Sequence, residues 1–243
     1  MLGLGNKLSR NNKATLHGGF TPANLSDLEL WLKHASGLSN TDSPATGQFP
    51  SDGGSNQISK WDDVSGNNRS AISPGSNYPT WDATENALDF SGSSDVLSLS
   101  ENEIDISGEF SIFFRLKFQN ATINNTDVVT SDTGGTHFIR FQSNKAIRLK
   151  IASGPLNFSW PSTMVGTSSF HTVGVKRDDS NNLSAYIDGV AASENGSVSA
   201  PNIFRVNTIE GGSDMFLKSM IITSNELSSD DQANLETYLS AQN

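Results

Sequence analysis

The sequence predicts an all-β fold, an antiparallel β-sandwich that ends in a short helix. Short runs of alternating apolar and polar residues recur, loops rich in Ser, Thr, Asn and Gly separate them, and only 17% of the 243 residues are charged. A chain of this length can bury a substantial core as one all-β domain. We therefore expect one sandwich domain over residues 21–243, preceded by a flexible, glycine-containing arm over residues 1–20.

Composition narrows the classes of partner and chemistry. The net charge of -10 disfavours a nucleic-acid partner, because phosphates are repelled. The chain has no cysteine, which excludes disulfides, thiolate metal sites and cysteine nucleophiles. No apolar run approaches the roughly 20 residues that span a bilayer, and the N-terminus is too polar for a signal peptide. We expect a protein that is made in the cytoplasm without a signal peptide and has no membrane partner.

The clearest element is a hairpin in residues 170–193. Val173 and Val175 alternate with polar or small residues, and a second alternating run follows after a polar cluster at 178–182. Asp188-Gly189 then predicts a tight turn, because glycine accepts a positive φ.

This hairpin resembles that of laminin-G-like, concanavalin A-like jelly-roll domains, with Phe170 in place of the usual Trp. Residues 28–36 and 61–68 resemble the recurrent opening of such domains in phage and bacterial surface proteins. Residues 216–222 and 227–239 resemble the last strand and terminal helix. The resemblance covers about residues 28–240 and implies a jelly-roll sandwich.

Further elements follow from the alternation of apolar residues. In residues 28–33, the three leucines are predicted to point inward, with Trp31 on the polar face. A long loop is predicted over residues 35–59. In the strand over residues 110–118, Phe113 and Phe114 are predicted to place one ring on each face. Ser228 is the predicted N-cap of the terminal helix.

Three patterns are candidate sites, and each has a structural alternative. Asp62, Asp63 and Asn67 present oxygens suited to calcium, or form an Asx-rich turn. Arg140, Arg148 and Lys150 alternate on one face of two predicted strands, where they meet an anionic glycan or acidic partner, or are simply solvated.

The third pattern is acidic. Residues 103–109 resemble the E-x-D-x-x-E strand of family 16 glycoside hydrolases, in which two glutamates act as nucleophile and acid/base. Glu109 comes one residue late for that spacing, and Ser107-Gly108 interrupts the strand. The alternative is an acidic turn leading into the next strand. We assign no catalytic, cofactor-binding or metal-binding residues.

Three functional hypotheses follow, in this order. The first is a non-enzymatic phage virion protein, a capsid decoration or accessory tail component, which docks on particle proteins or forms homo-oligomers through residues 1–20. The opening Met1 to Gly5 resembles the start of small virion proteins of marine bacteriophages. The second is a carbohydrate-binding or host-adhesion module that holds a surface glycan in loops such as 35–60. The third is a glycoside hydrolase that uses Glu103 and Glu109.

Overall fold

The computed structural model describes residues 19–40, 56–75, 77–92, 94–99, 103–131, 135–152, 154–166, 168–193, 196–197, 203–210 and 215–242. A turn of 3-10 helix over Pro22–Asn24 precedes the strands. The first ten strands are β1 Leu28–Leu32, β2 Leu38–Asn40, β3 Ile58–Trp61, β4 Ala71–Ile72, β5 Thr80–Asp82, β6 Ala87–Phe90, β7 Val96–Ser98, β8 Ile104–Ile106, β9 Phe110–Phe118 and β10 Thr126–Thr130. The remaining elements are β11 Phe138–Ser143, β12 Ala146–Ile151, β13 Gly154–Ser159, β14 His171–Arg177, β15 Asn182–Ile187, β16 Val190–Ala191, β17 Gly196–Ser197, β18 Phe204–Val206, β19 Thr208–Glu210, β20 Met215–Thr223 and the helix α1 Ser229–Ser240.

The strands form two large antiparallel sheets. Sheet 1 has the order β16-β15-β14-β9-β20-β6-β5, with β1 also paired to β20 and β17 to β15. Sheet 2 has the order β13-β12-β11-β10-β19-β7-β4-β3-β2. Strands β8 and β18 form a separate pair. The predicted all-β sandwich with a C-terminal helix is confirmed.

The main core lies between the two sheets. Sheet 1 contributes Phe90 and Phe114, and sheet 2 contributes Phe141 and Leu149, all of them inaccessible to solvent. On sheet 2, Phe141 and Leu149 alternate with more exposed neighbours along their strands, as expected when one face of a sheet is buried. The inward positions of the sandwich are therefore set by period-two patterning.

A second apolar cluster lies on the outer face of sheet 1, beneath α1. Its buried members are Leu25, Trp31, Phe113, Ile221, Leu227, Leu235 and Leu239. Trp31 is 6% exposed and meets the Tyr238 ring edge-on at 6.1 Å. The prediction that Trp31 lies on a polar face is wrong, because α1 covers that face and makes it a second core.

Strand β9 is consequently buried on both faces. Phe114 belongs to the main core and Phe113 to the cluster beneath α1, as predicted. Gly174 on β14 is the register partner of Phe113. A Cβ atom at Gly174 would lie 2.3 Å from Phe113 Cε1, so only glycine accommodates the ring without displacement.

The hairpin is also as predicted. Strands β14 and β15 pair antiparallel from Val173–Ile187 to Arg177–Leu183. At the second turn Asp188 has φ 49° and Gly189 has φ 76°, the left-handed conformation that such a turn needs.

The long loop predicted over residues 35–59 is interrupted by strands. It contains β2 and the start of β3, which pair through Leu38 and Trp61. Three- and four-residue strands are too short to show alternation against a polar background. Residues 41–55 lie outside the described residues, as do residues 1–18 of the predicted arm. Within the described part of the chain, no helix is long and apolar enough to cross a membrane.

Candidate functional site

A polar groove runs between α1 and the hairpin β14–β15 on the outer side of sheet 1. It consists of two cavities, of about 640 and 320 Å³, which share Ala233 and Glu236. We call it the helix groove. Its lining residues are Thr172, Lys176, Tyr186, Asp188, Gly189, Glu226, Leu227, Ser228, Ser229, Gln232, Ala233, Glu236, Thr237 and Ser240.

The helix supplies one wall of the groove through residues three or four positions apart. Ser229, Gln232, Glu236 and Ser240 follow this spacing and so lie along one side of α1. Leu235 and Leu239 lie on the other side, in the cluster beneath the helix. The apolar residues anchor α1 and leave its polar side turned towards the hairpin.

The hairpin supplies an aromatic ring and a cation. Tyr186 alternates with Ala185 and Ile187, which are buried in the main core, so its side chain points outward. Lys176 is 5% exposed, and its Nζ lies 5.6 Å from the Tyr186 ring centroid. The same Nζ donates to Leu227 O at 2.9 Å and pairs with Glu226 at 3.0 Å. The groove therefore has a fixed aromatic surface beside a paired lysine.

Glu236 lines both cavities. Burial raises the pKa of Glu236, opposed by the hydrogen bond that Gln232 Nε2 donates to it at 2.9 Å, and the Asp188 charge raises it further. Its Oε2 lies close to the Asp188-Gly189 turn: a Cβ atom added to Gly189 would be only 2.9 Å from that oxygen. The carboxylate is thus positioned at the centre of the groove.

Asp188 lines the smaller cavity, and two hydrogen bonds hold its carboxylate in place. Burial acts to raise the pKa of Asp188. The hydrogen bonds that its carboxylate makes with His171 Nδ1 at 2.7 Å and with the Thr172 backbone N–H at 2.8 Å have the larger combined effect, so the pKa of Asp188 is lowered. The Arg115 charge acts in the same direction. Asp188 is therefore a fixed, ionised acceptor.

Thr172 lies beside Asp188 and carries an unused polar atom. Thr172 is 3% exposed, and among the described residues its Oγ1 has no hydrogen-bond partner. Arg115 is the register partner of Thr172 on β9. Its buried Nε likewise has no hydrogen-bond partner among the described residues. An unsatisfied buried hydroxyl is costly, and this one belongs to a residue that lines the smaller cavity.

The residues considered for calcium form an Asx-rich turn, in which Asp63 is the main acceptor. Asp63 accepts four hydrogen bonds, from the backbone N–H groups of Trp31, Ser65 and Arg69 and from the Ser65 hydroxyl. Asp62 pairs with Lys60 at 2.7 Å, and the Asn67 amide donates to backbone carbonyls of β1. No group of three or more His, Cys, Asp or Glu side chains suited to a metal occurs in the described residues.

The acidic pattern of the hydrolase resemblance does not form one strand. Glu103 precedes β8, which pairs with β18 in a two-stranded sheet, whereas Glu109 precedes β9 in sheet 1. Asp105 between them pairs with Arg205 at 3.1 Å. The buried Arg177 fixes the bend between β8 and β9 by donating to Gly108 O and Ile106 O. The two glutamates thus open different strands of different sheets.

The predicted outward cations are confirmed on sheet 2. Arg140, Arg148 and Lys150 are half-buried and alternate with buried Ile139, Ile147 and Leu149.

Sequence reasoning did not identify the helix groove. Tyr186 and Asp188 were visible only as outward hairpin positions, and Glu236 only as a polar helix position. The available signal was small: Gln232 and Glu236 lie four residues apart on the polar side of the predicted helix.

No protein-family model matches the chain, and no curated protein does. Solved structures of botulinum neurotoxins are similar in fold. A type C structure from work on its interaction with two ganglioside molecules is 19% identical, with a TM-score of 0.58, over 90% of this chain and 53% of that one. The binding domain of neurotoxin DC in complex with SialylT is 17% identical (TM-score 0.61, 92% and 53% covered). The same domain in complex with rat synaptotagmin II is 16% identical (TM-score 0.60, 91% and 53% covered).

The chain therefore shares the β-sandwich fold of toxin receptor-binding domains and spans about half the length of those chains. At this identity the similarity shows the fold alone, and the fold does not decide the ligand.

Proposed function

We propose that this protein is a non-enzymatic carbohydrate-binding module that holds a sugar in the helix groove. The observation that carries the proposal is that Tyr186 and Glu236 line a cavity of about 640 Å³, while Asp188 and Glu236 line a neighbouring cavity of about 320 Å³. An aromatic face suits the apolar C–H side of a sugar ring, and fixed carboxylate and amide groups suit its hydroxyls.

The structural matches support the same class of function. For the type C toxin, cell entry depends on interaction with two ganglioside molecules, and the neurotoxin DC domain forms complexes with SialylT and with rat synaptotagmin II. They are binding domains, which also supports a non-enzymatic role here. The separation of Glu103 from Glu109 on different sheets removes the main support for a family 16-like hydrolase.

A role in a virion, with capsid or tail partners, stays a prediction that depends on the sequence resemblance. It is compatible with sugar binding, since a surface protein of a particle can also hold a glycan. Purified protein that associates with capsid or tail proteins of a particle would support it. A monomer that associates with no particle would count against it.

A glycan array followed by titration of the best ligand tests the sugar site. Tyr186→Ala removes the aromatic surface, and we expect binding to weaken about tenfold or more, because truncating a central aromatic contact commonly costs more than 1 kcal/mol. Tyr78→Ala is the matched control, since Tyr78 does not line the groove and is also half-buried.

Two results would overturn the proposal. The first is an array without hits for the wild-type protein. The second is a bound glycan whose affinity is the same in Tyr186→Ala as in Tyr78→Ala.

A further inference from the structure

The outward face of β11–β13 in sheet 2 carries cations that the helix groove does not use. Arg140 is the register partner of Arg148, which is in turn opposite Asn157, and Lys150 lies two residues further along β12. Neighbouring strands lie about 4.8 Å apart, and alternate residues about 7 Å apart along a strand. One extended ligand can therefore reach all of these side chains.

Arg140 is neutralised within the protein. Its Nε and one terminal nitrogen each donate to Asp127 at 2.7 Å. Its guanidinium lies 4.4 Å from the Phe138 ring centroid. This arginine is therefore a structural part of the face rather than a free charge.

Arg148 is oriented by amides. Its Nε donates to Asn157 Oδ1 at 2.8 Å. The Gln142 amide is oriented so that its oxygen faces donors and its nitrogen faces an acceptor. In this orientation Gln142 O accepts from Arg148 at 2.8 and 3.2 Å, and Gln142 N donates to Asn157 Oδ1 at 2.8 Å. Amide oxygens fix the guanidinium plane without neutralising its charge. Its remaining N–H groups stay available on the exposed side.

Lys150 is the second cation of this face. Its Nζ lies 5.9 Å from the Phe138 ring, and among the described residues no Asp or Glu forms an ion pair with Lys150 or Arg148. Among the described residues, two positive charges on this face thus have no carboxylate partner.

The sequence separates charge around these strands. Residues 133–177 contain six Lys or Arg and no Asp or Glu, although the whole chain has 26 acidic and 16 basic residues. Strands β11–β13 lie inside that stretch. A positive face therefore occurs on an otherwise acidic molecule.

We propose that this face, defined by Gln142, Arg148, Lys150 and Asn157 and called the cationic face below, binds an anionic polysaccharide through its sulfate or carboxylate groups. A guanidinium held in one plane matches such groups with paired hydrogen bonds, and a lysine adds a second charge. The amides can bond sugar hydroxyls between the charged groups. Nucleic acid is disfavoured, because the net charge of -10 repels a continuous phosphate backbone. The cationic face is on the other sheet from the helix groove and is independent of it.

Titration with short dextran sulfate and polygalacturonate oligosaccharides tests the cationic face. Unsulfated dextran of the same length and duplex DNA serve as comparison ligands. We expect at least one acidic oligosaccharide to bind, with an affinity that falls as the salt concentration rises. The double variant Arg148→Gln/Lys150→Gln should lower that affinity about tenfold or more.

Lys60→Gln is the matched control, because Lys60 lies on β3 of the same sheet and pairs with Asp62. It should bind as the wild type does, and so should Tyr186→Ala, which separates this proposal from the sugar site of the helix groove. Thermal melting confirms that each variant is folded. The proposal is overturned if neither acidic oligosaccharide binds, or if unsulfated dextran or DNA binds with the same affinity as the acidic oligosaccharides. It is also overturned if Lys60→Gln weakens binding as much as the double variant does.

Discussion

At Gly174, a missing side chain makes room for an aromatic ring. The glycine is opposite Phe113, whose ring belongs to the cluster beneath α1. A Cβ placed there meets three ring atoms at 2.3 to 2.9 Å. The ring is wedged between strand and helix, so it cannot retreat without disturbing both.

We predict that Gly174→Ala lowers the free energy of unfolding by about 1–3 kcal/mol, the usual cost of overpacking a core. Urea denaturation measures it. Gly154→Ala is the control, because Gly154 also lies in a strand and a Cβ there has nothing within 4 Å. Equal stability of the two variants would show that Phe113 moves aside freely.

At the scale of the element, α1 both completes a core and forms a wall of the helix groove. Its N-terminus is capped by Ser228, whose hydroxyl accepts from the Asp231 backbone N–H at 3.1 Å. Asp230 and Asp231 in the first turn suit the positive end of the helix. The cap therefore contributes to the position of every groove residue on the helix.

We predict that Ser228→Ala destabilises the protein by about 1 kcal/mol, as expected for the loss of an N-cap. Ser229→Ala is the neighbouring control and should change the free energy of unfolding by less than about 0.5 kcal/mol, because alanine is well tolerated inside a helix. Denaturation of both variants under one condition makes the comparison. A larger loss in Ser229→Ala would mean that the cap lies elsewhere.

At the scale of the whole molecule, the half-buried His34 and the buried His137 give the free energy of unfolding a pH dependence. Burial lowers the pKa of His34, although its hydrogen bond with Asn86 O acts in the opposite direction. Burial, with the charge of Arg205, also lowers the pKa of His137. The folded protein therefore holds these protons less well than the unfolded chain does, and protonation favours unfolding.

The free energy of unfolding should therefore fall as the pH is lowered below about 6.5, the ordinary pKa of histidine. Carboxyl groups such as Glu236, whose pKa is raised mainly by burial, act with the opposite sign nearer their own range. We predict that His34→Gln/His137→Gln flattens the decline between about pH 7.5 and pH 5. Urea denaturation across that range tests this, and an unchanged slope would assign the decline to other groups.

Much of the fold could be predicted from local patterns. Alternation identified β14, β15 and the inward residues of β9, and the residues around Ser228 identified α1. These features are readable because each depends on neighbours in sequence: strand period, turn chemistry and a cap. The outward position of Arg148 and Lys150 follows from the same alternation.

The sequence by itself determined the all-β sandwich, its terminal helix and the faces to which most side chains point. Only the tertiary structure decided that α1 covers Trp31, that Glu103 and Glu109 open strands of different sheets, and that Tyr186, Asp188 and Glu236 line one groove. The physical reason is that residues far apart in sequence meet according to strand order and helix docking. Those contacts depend on packing among many side chains, which a local period does not encode.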